Sequence, residues 1–186
     1  IRSLQRPYTC SDFLTGAHAR SVSIPCEYLE TPARFRHKKI HKAVVFFGSA
    51  RTNPKPKRGV NYYAHAAALA EKLAQWTMKE HARGERYYIC TGGGGGIMQA
   101  VHEGAARVNR HLNIGLNISL PFEQSLNPPV EHAHAFEFHY FFMRKFWFLN
   151  LARAAVIFPG GFGTMDELFE LLTLTQTGKS TPMPIV

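Results

Sequence analysis

Apolar and polar positions along this chain switch repeatedly between two periods. Ala43-Val44-Val45-Phe46-Phe47 is a short unbroken apolar run, the pattern of a strand buried on both faces. Tyr62, Ala66, Leu69, Leu73 and Trp76 then recur at helical spacing, and Gly84 closes that region. The same alternation predicts a second strand over 87–90, a helix from 97 to about 109 and a third strand over 114–118. Residues 124–137 carry little pattern and are expected to form a Pro-containing loop. An aromatic helix is predicted over about 139–153, a fourth strand over 155–158 and a helix over about 164–177. Residues 182–186 start a fifth strand too short for a natural end, so further residues are expected beyond Val186. Residues 1–40 are different: Pro7, Pro25 and Pro32 break them into short pieces, with one short helix expected near 12–20. We read 1–40 as an N-terminal extension, packed on the domain or on a partner subunit, and 41–186 as the main domain.

Short apolar strands alternating with helices predict a doubly wound parallel α/β sheet, Rossmann-like, with helices on both faces. Right-handed crossovers bring every strand's C-terminal end to one edge, where ligands bind near the reversal of strand order. Three loops should therefore converge, 48–51, 91–96 and 159–164, which makes Gly48, Ser49, Gly94 and Gly95 candidate contact residues.

The third of these loops organises the chemistry. Val156-Ile157-Phe158 runs into Pro159-Gly160-Gly161-Phe162-Gly163-Thr164, and an amphipathic helix follows. Glycines let a backbone approach a ligand closely, and the first helical turn adds free N–H groups and a positive dipole end. Gly160, Gly161, Phe162, Gly163 and Thr164 thus form a candidate phosphate cradle. A tight strand-to-helix turn would use the same glycines. Glu167 lies one turn further in, where a carboxylate beside a phosphate needs a reason; we read it as reaching the sugar of a nucleotide. Thr164-x-x-Glu167 also matches a capping box, in which Glu167 would bond back to the helix start. Five consecutive glycines, 92–96, are entropically costly and suggest a backbone that must approach something, although close helix–strand packing would also use them. Arg144-Lys145 could be a solvated pair, but Phe141, Phe142, Met143, Phe146, Trp147 and Phe148 make nearly every face of that helix apolar. A half-buried Arg needs an anion, either Glu167 or a ligand phosphate.

Other nucleotide motifs fail by position. G-x-G-x-x-G from Gly92 would need glycine at Ile97, and from Gly161 at Asp166. Thr177-Gly178-Lys179-Ser180 lacks the first P-loop glycine, since Thr173 stands there, and Gly178 reads better as a helix C-cap.

Composition narrows the classes. The 186 residues are 45% hydrophobic and 19% charged, ordinary for one globular domain. No apolar run approaches a bilayer span, and the start has no secretory core, so no membrane partner is expected. The cysteines, Cys10, Cys26 and Cys90, have no metal spacing, and their odd number points to a reducing cytoplasm. The histidines are scattered, with His132-x-His134 alone in a loop, so no metal is expected. The formal net charge of +9 is concentrated in 34–42 and 55–58. Neither stretch has interleaved stacking aromatics, so small anionic substrates fit better than nucleic acid.

Taken in order, the run Gly92 to Met98, then Phe142-Met143-Arg144-Lys145, then Pro159-Gly160-Gly161-Phe162-Gly163-Thr164-x-x-Glu167 resembles the "Lonely guy" family over about residues 40–186. Leu120-Pro121-Phe122-Glu123-Gln124 and Gln176-Thr177-Gly178-Lys179 resemble its longer bacterial branch. The resemblance implies nucleoside 5′-monophosphate phosphoribohydrolase activity on AMP-type or cytokinin riboside monophosphates, giving free base and ribose 5-phosphate without a cofactor. It implies Arg144 and Glu167 as the essential pair, and Lys145, Gly161, Gly163, Thr164, Thr173 and Glu123 as substrate contacts. The alternative is a non-catalytic carrier of a nucleotide or of molybdenum cofactor, as in a related branch of the fold. The apolar surface of the aromatic helix predicts a homodimer.

Overall fold

The computed structural model describes residues 6–56, 58–120 and 126–186. The apolar run Ala43–Phe47 is strand β1, buried at all its positions. With β2 (Tyr88–Thr91), β3 (Asn113–Ile118), β4 (Ala135–Phe138) and β5 (Ala152–Ile157) it forms one parallel sheet in the order β4-β3-β2-β1-β5. The helices are α1 (Ser11–Leu14), α2 (Arg20–Lys38), α3 (Tyr62–Glu80), α4 (Ile97–Asn109), α5 (Phe141–Leu151) and α6 (Phe162–Gln176).

Strand pleating sends successive side chains to opposite faces. Val44, Phe46 and Ile89 therefore pack under α3 and α4, against Ala66, Ala70, Ile97 and Val101. Val45, Phe47, Cys90 and Ile114 meet the other layer, where Trp147, Phe148 and Leu151 of α5 join Leu171 of α6 and Phe35 of α2. This is the doubly wound parallel α/β sheet that the alternation of periods predicts.

Four local expectations need correction. Pro25 and Pro32 do not break the N-terminal region; both lie inside the continuous α2. Each forfeits a helix hydrogen bond, but tertiary contacts hold the helix. Phe35 stacks on Phe136 at 4.7 Å and Trp147 at 5.8 Å. Arg34 donates to Ala135 O at 2.6 Å, and Glu27 accepts the His139 amide at 2.7 Å. Only α1 and a 3-10 turn, Ala17–Ala19, occupy the stretch expected to hold a single short helix. The extension thus shares the core of the sheet.

Residues 124–137 are not wholly loop, because β4 begins within them and pairs in parallel with β3. Its signal was brief: Phe136 and Phe138 are buried while Glu137 points outward. The α5–β5 junction falls at Leu151/Ala152, earlier than expected. The chain end adds only a bridge, Ile185 beside Ala155, with Pro184 O accepting the Ala155 amide at 2.9 Å and Val186 O accepting the Ile157 amide at 2.7 Å. After α6, Gly178 has φ +68° and the Lys179 amide donates to Leu174 O at 2.8 Å. That is a helix C-cap, not a phosphate loop.

Candidate functional site

The strand order reverses between β1 and β5, so the loops leaving them diverge and open a crevice at the C-terminal edge of the sheet. Short bonds join the three glycine-bearing loops there. The Ser49 amide donates to Pro159 O at 3.2 Å, and the Ile97 amide donates to Ser49 O at 3.0 Å. Gly96 sits between them with φ +58°, and a Cβ on it would collide with the carbonyls of Ser49 and Ala50. Part of the glycine run is therefore explained by packing within the chain.

The crevice has a volume of about 910 Å³. Its walls include Gly48, Ser49, Ala50 and Arg51 after β1; Gly92, Gly94 and Gly95 before α4 and Met98 within it; Asn117 and Ile118 of β3; Phe141 and Arg144 of α5; and Gly161, Phe162, Gly163, Thr164 and Glu167 at the start of α6.

The glycines at α6 differ in purpose. A Cβ on Gly160 would collide with the Thr164 side chain, which is buried beneath it. Gly160 is a packing residue and is absent from the crevice wall. A Cβ on Gly161 or Gly163 would meet no described atom within 4 Å. Gly161 also has an unstrained φ of −88°. Neither the fold nor the backbone conformation requires glycine there, so the missing side chains leave room for an occupant. Gly161 is the helix N-cap and Phe162 the first helical residue, so the first-turn amides face the same space. Among the described residues no side chain caps this helix, and the capping box does not form.

Glu167 turns instead to Arg144, whose Nη2 donates to Glu167 Oε1 at 3.2 Å. Both side chains are only about one-seventh exposed, at 13% and 14%. The Arg144 guanidinium also lies 5.4 Å from the centre of the Phe141 ring and 5.7 Å from that of Phe148. Its Nε is buried with no hydrogen-bond partner among the described residues. Burial pushes the Glu167 carboxyl up to about 7, against the opposing pull of Arg144. Burial likewise lowers Arg144, with Glu167 and Asp166 opposing. A carboxyl that changes charge near neutrality, held by one bond to a guanidinium and facing a crevice, can stabilise a cation and accept a proton.

Not every expected contact reaches the crevice. Lys145 lies beyond it, paired with Asp166 at 3.1 Å and Glu170 at 2.8 Å, and these carboxylates raise its pKa. It braces α5 against α6 one rung away from Arg144. Thr173 is exposed, with its hydroxyl returned to Phe169 O at 2.7 Å. Neither residue lines the crevice. Glu123 lies outside the described residues. Gly48, Ser49, Gly94, Gly95, Gly161, Phe162, Gly163, Thr164, Arg144 and Glu167 do come together. The Ser49 hydroxyl faces its own loop, accepting the Arg51 amide at 3.1 Å.

Sequence reasoning placed Arg51 in a converging loop without singling it out, and missed Met98, Asn117 and Phe141 as wall residues. Two had a usable signal: Arg51 is the first cation after β1, and Asn117 is a polar residue late in an apolar strand. Among the described residues no three His, Cys, Asp or Glu side chains group as a metal site, and no helix is long and apolar enough to cross a membrane.

Residues 98–186 match the family model described as "Possible lysine decarboxylase". The match covers the Phe142–Lys145 and Pro159–Glu167 motifs. Among solved structures, the X-ray structure of TM1055, a structural genomics target, is 25% identical, with a TM-score of 0.52 over 77% of this chain and 72% of that one. The molybdenum cofactor binding protein of the phototrophic bacterium Rippkaea orientalis shares the fold at 14% identity, with a TM-score of 0.50 over 78% and 89% of the two chains. No curated protein matches the sequence.

Proposed function

We propose, from the membership of residues 98–186 in the "Lonely guy" or possible-lysine-decarboxylase family, that this protein is a nucleoside 5′-monophosphate phosphoribohydrolase. The observation that carries the reading is the buried Arg144–Glu167 pair facing the same crevice as the unobstructed first turn of α6. Lysine decarboxylation through a lysine imine fits poorly, since no described lysine lines the crevice.

The 5′-phosphate sits against the amides of Gly161, Phe162 and Gly163, which fixes the ribose one helical turn away, beside Glu167. Breaking the bond from C1′ to the base nitrogen sends its electron pair to the base and leaves positive charge on the ribosyl ring. The Glu167 carboxylate stabilises that charge and takes a proton from the water that adds to C1′. The departing base nitrogen takes a proton from solvent, Glu167 returns its proton to solvent, and the products are free base and ribose 5-phosphate. Arg144 keeps the carboxylate aimed and ionised.

The direct test is a screen of nucleoside monophosphates for released ribose 5-phosphate. AMP or another monophosphate should turn over, and adenosine should be a poor substrate. Equal rates with AMP and adenosine would remove the phosphate cradle from the account, and tight binding without release of base would make the protein a carrier.

Gly161→Ala separates cradle from fold. Its Cβ meets nothing within the chain, so Tm should move by less than about 2 °C. KM for AMP should nevertheless rise about 10-fold, because the methyl occupies phosphate space. A large fall in Tm would show a packing role instead.

We further propose a homodimer built on the exposed aromatic rows of α5 and α6, where Phe142, Phe146 and Phe169 are 49%, 40% and 61% exposed. Sedimentation should give twice the chain mass, and Phe146→Asp with Phe169→Asp should halve it. A cytoplasmic setting suits a nucleotide substrate and three free cysteines.

A further inference from the structure

Behind the glycine wall lies a closed ring of polar groups that the reaction does not touch. His102 of α4 is wholly buried. Its Nδ1 is 3.0 Å from Asn127 Oδ1, and its Nε2 is 3.4 Å from Thr91 Oγ1 and 3.1 Å from Ile114 O. Asn127 reaches the glycine loop through two bonds, Nδ2 to Gly94 O at 2.9 Å and its amide to Gly93 O at 2.8 Å. The Gly93 amide returns to Thr91 Oγ1 at 2.9 Å, which closes the ring.

Donor counting fixes the directions. Gly94 O can only accept, so Asn127 must point Nδ2 at it and Oδ1 at His102. His102 Nδ1 therefore donates to Asn127 Oδ1, while Nε2 lies between the Ile114 carbonyl, which can only accept, and the more distant Thr91 hydroxyl. Burial pushes the imidazole down to about 4, against the hydrogen bonds to Asn127 and Ile114, which favour its protonated form. The position thus calls for a side chain that donates to Asn127 Oδ1 from the width of a five-membered ring. The packing of α4 on the sheet does not itself demand those polar atoms.

We propose that His102 is a positioning residue that holds the Gly93–Gly94 backbone as a wall of the substrate crevice, acting through Asn127 on one side and Thr91 on the other. The role in substrate binding rests on the hydrolase reading; the role in holding the loop does not. Gly94 faces the crevice, and Gly92 lies beside Arg144. Loosening the ring therefore widens the crevice next to the reactive pair without removing a reacting group.

The test combines amide hydrogen exchange of the 91–98 segment with steady-state kinetics on AMP, in the full chain. His102→Leu keeps an apolar filling and removes the ring. Exchange over 91–98 should quicken about 10-fold while β1 stays protected, and KM should rise about 10-fold with kcat changed less than about 2-fold. His102→Gln can again donate toward Asn127 Oδ1, and should recover most of both. Asn127→Asp puts an oxygen against Gly94 O, should reproduce the leucine variant, and carries the test if that variant does not fold. Unchanged exchange in folded His102→Leu and in Asn127→Asp would overturn the proposal, as would equal impairment by leucine and glutamine, which would assign His102 to packing. If the wild-type protein hydrolyses no monophosphate, the hydrolase reading fails and the exchange arm still decides the role of His102.

Discussion

Glu167→Gln should lower turnover of AMP by about 1000-fold while leaving AMP bound with nearly unchanged affinity. Glutamine keeps the shape and can still face Arg144 Nη2, now 3.2 Å from Glu167 Oε1. It loses the charge that opposes the developing cation at C1′ and the lone pair that takes the proton from water. Phosphate contacts at the start of α6 do not involve this side chain, so binding and chemistry should separate. Ribose 5-phosphate release measures the first and isothermal titration the second. Full turnover in the variant would end the mechanism, whereas lost binding with intact folding would move Glu167 into substrate recognition.

Arg144→Met should cost about 100-fold in kcat/KM and displace the pH dependence. The proposed reaction needs the Glu167 carboxylate, whose carboxyl is raised to about 7, so kcat/KM should rise with pH and level off above neutrality. Arg144 is the largest influence holding that carboxyl down, and its loss should move the midpoint further up. The stability consequence has a definite sign. Glu167 is an acid whose folded value lies above its ordinary 4.5, so the folded state keeps a proton that the unfolded state has already lost. Its burial costs nothing below about 4.5 and progressively more as pH rises through about 7. In Arg144→Met that decline should extend to higher pH, so the variant should be closest to wild type in mild acid. Thermal unfolding between pH 5 and 9 reads this directly. A midpoint that does not move would mean that Arg144 does not govern Glu167.

The parts of this architecture written as pattern were legible. β1 is a five-residue apolar run, and the structure places it where that run lies. α4 starts at Ile97 because Gly96 can take the strained turn before it. The pair Arg144–Glu167 was accessible to reasoning because an arginine on an all-apolar helix demands an anion. What failed depended on partners distant in sequence. Nothing local in residues 20–38 announces a helix through two prolines; Phe136 and Trp147, over a hundred residues on, supply the support. β4 is four residues long, too short for a period to declare itself against flanking histidines and prolines. Lys145 sits next to Arg144 in the chain, yet successive helical positions point about 100° apart. One therefore enters the crevice while the other grips α6.

That grip has an evolutionary reading. Arg144 and Glu167, the side chains proposed to react, are carried by regular helices tied together by Lys145, whereas much of the remaining crevice wall belongs to loops and to the late part of β3. Mutations that retune which base is accepted can then accumulate in the loops without disturbing the spacing of acid and guanidinium, so preference among nucleotides should drift faster than the reaction itself.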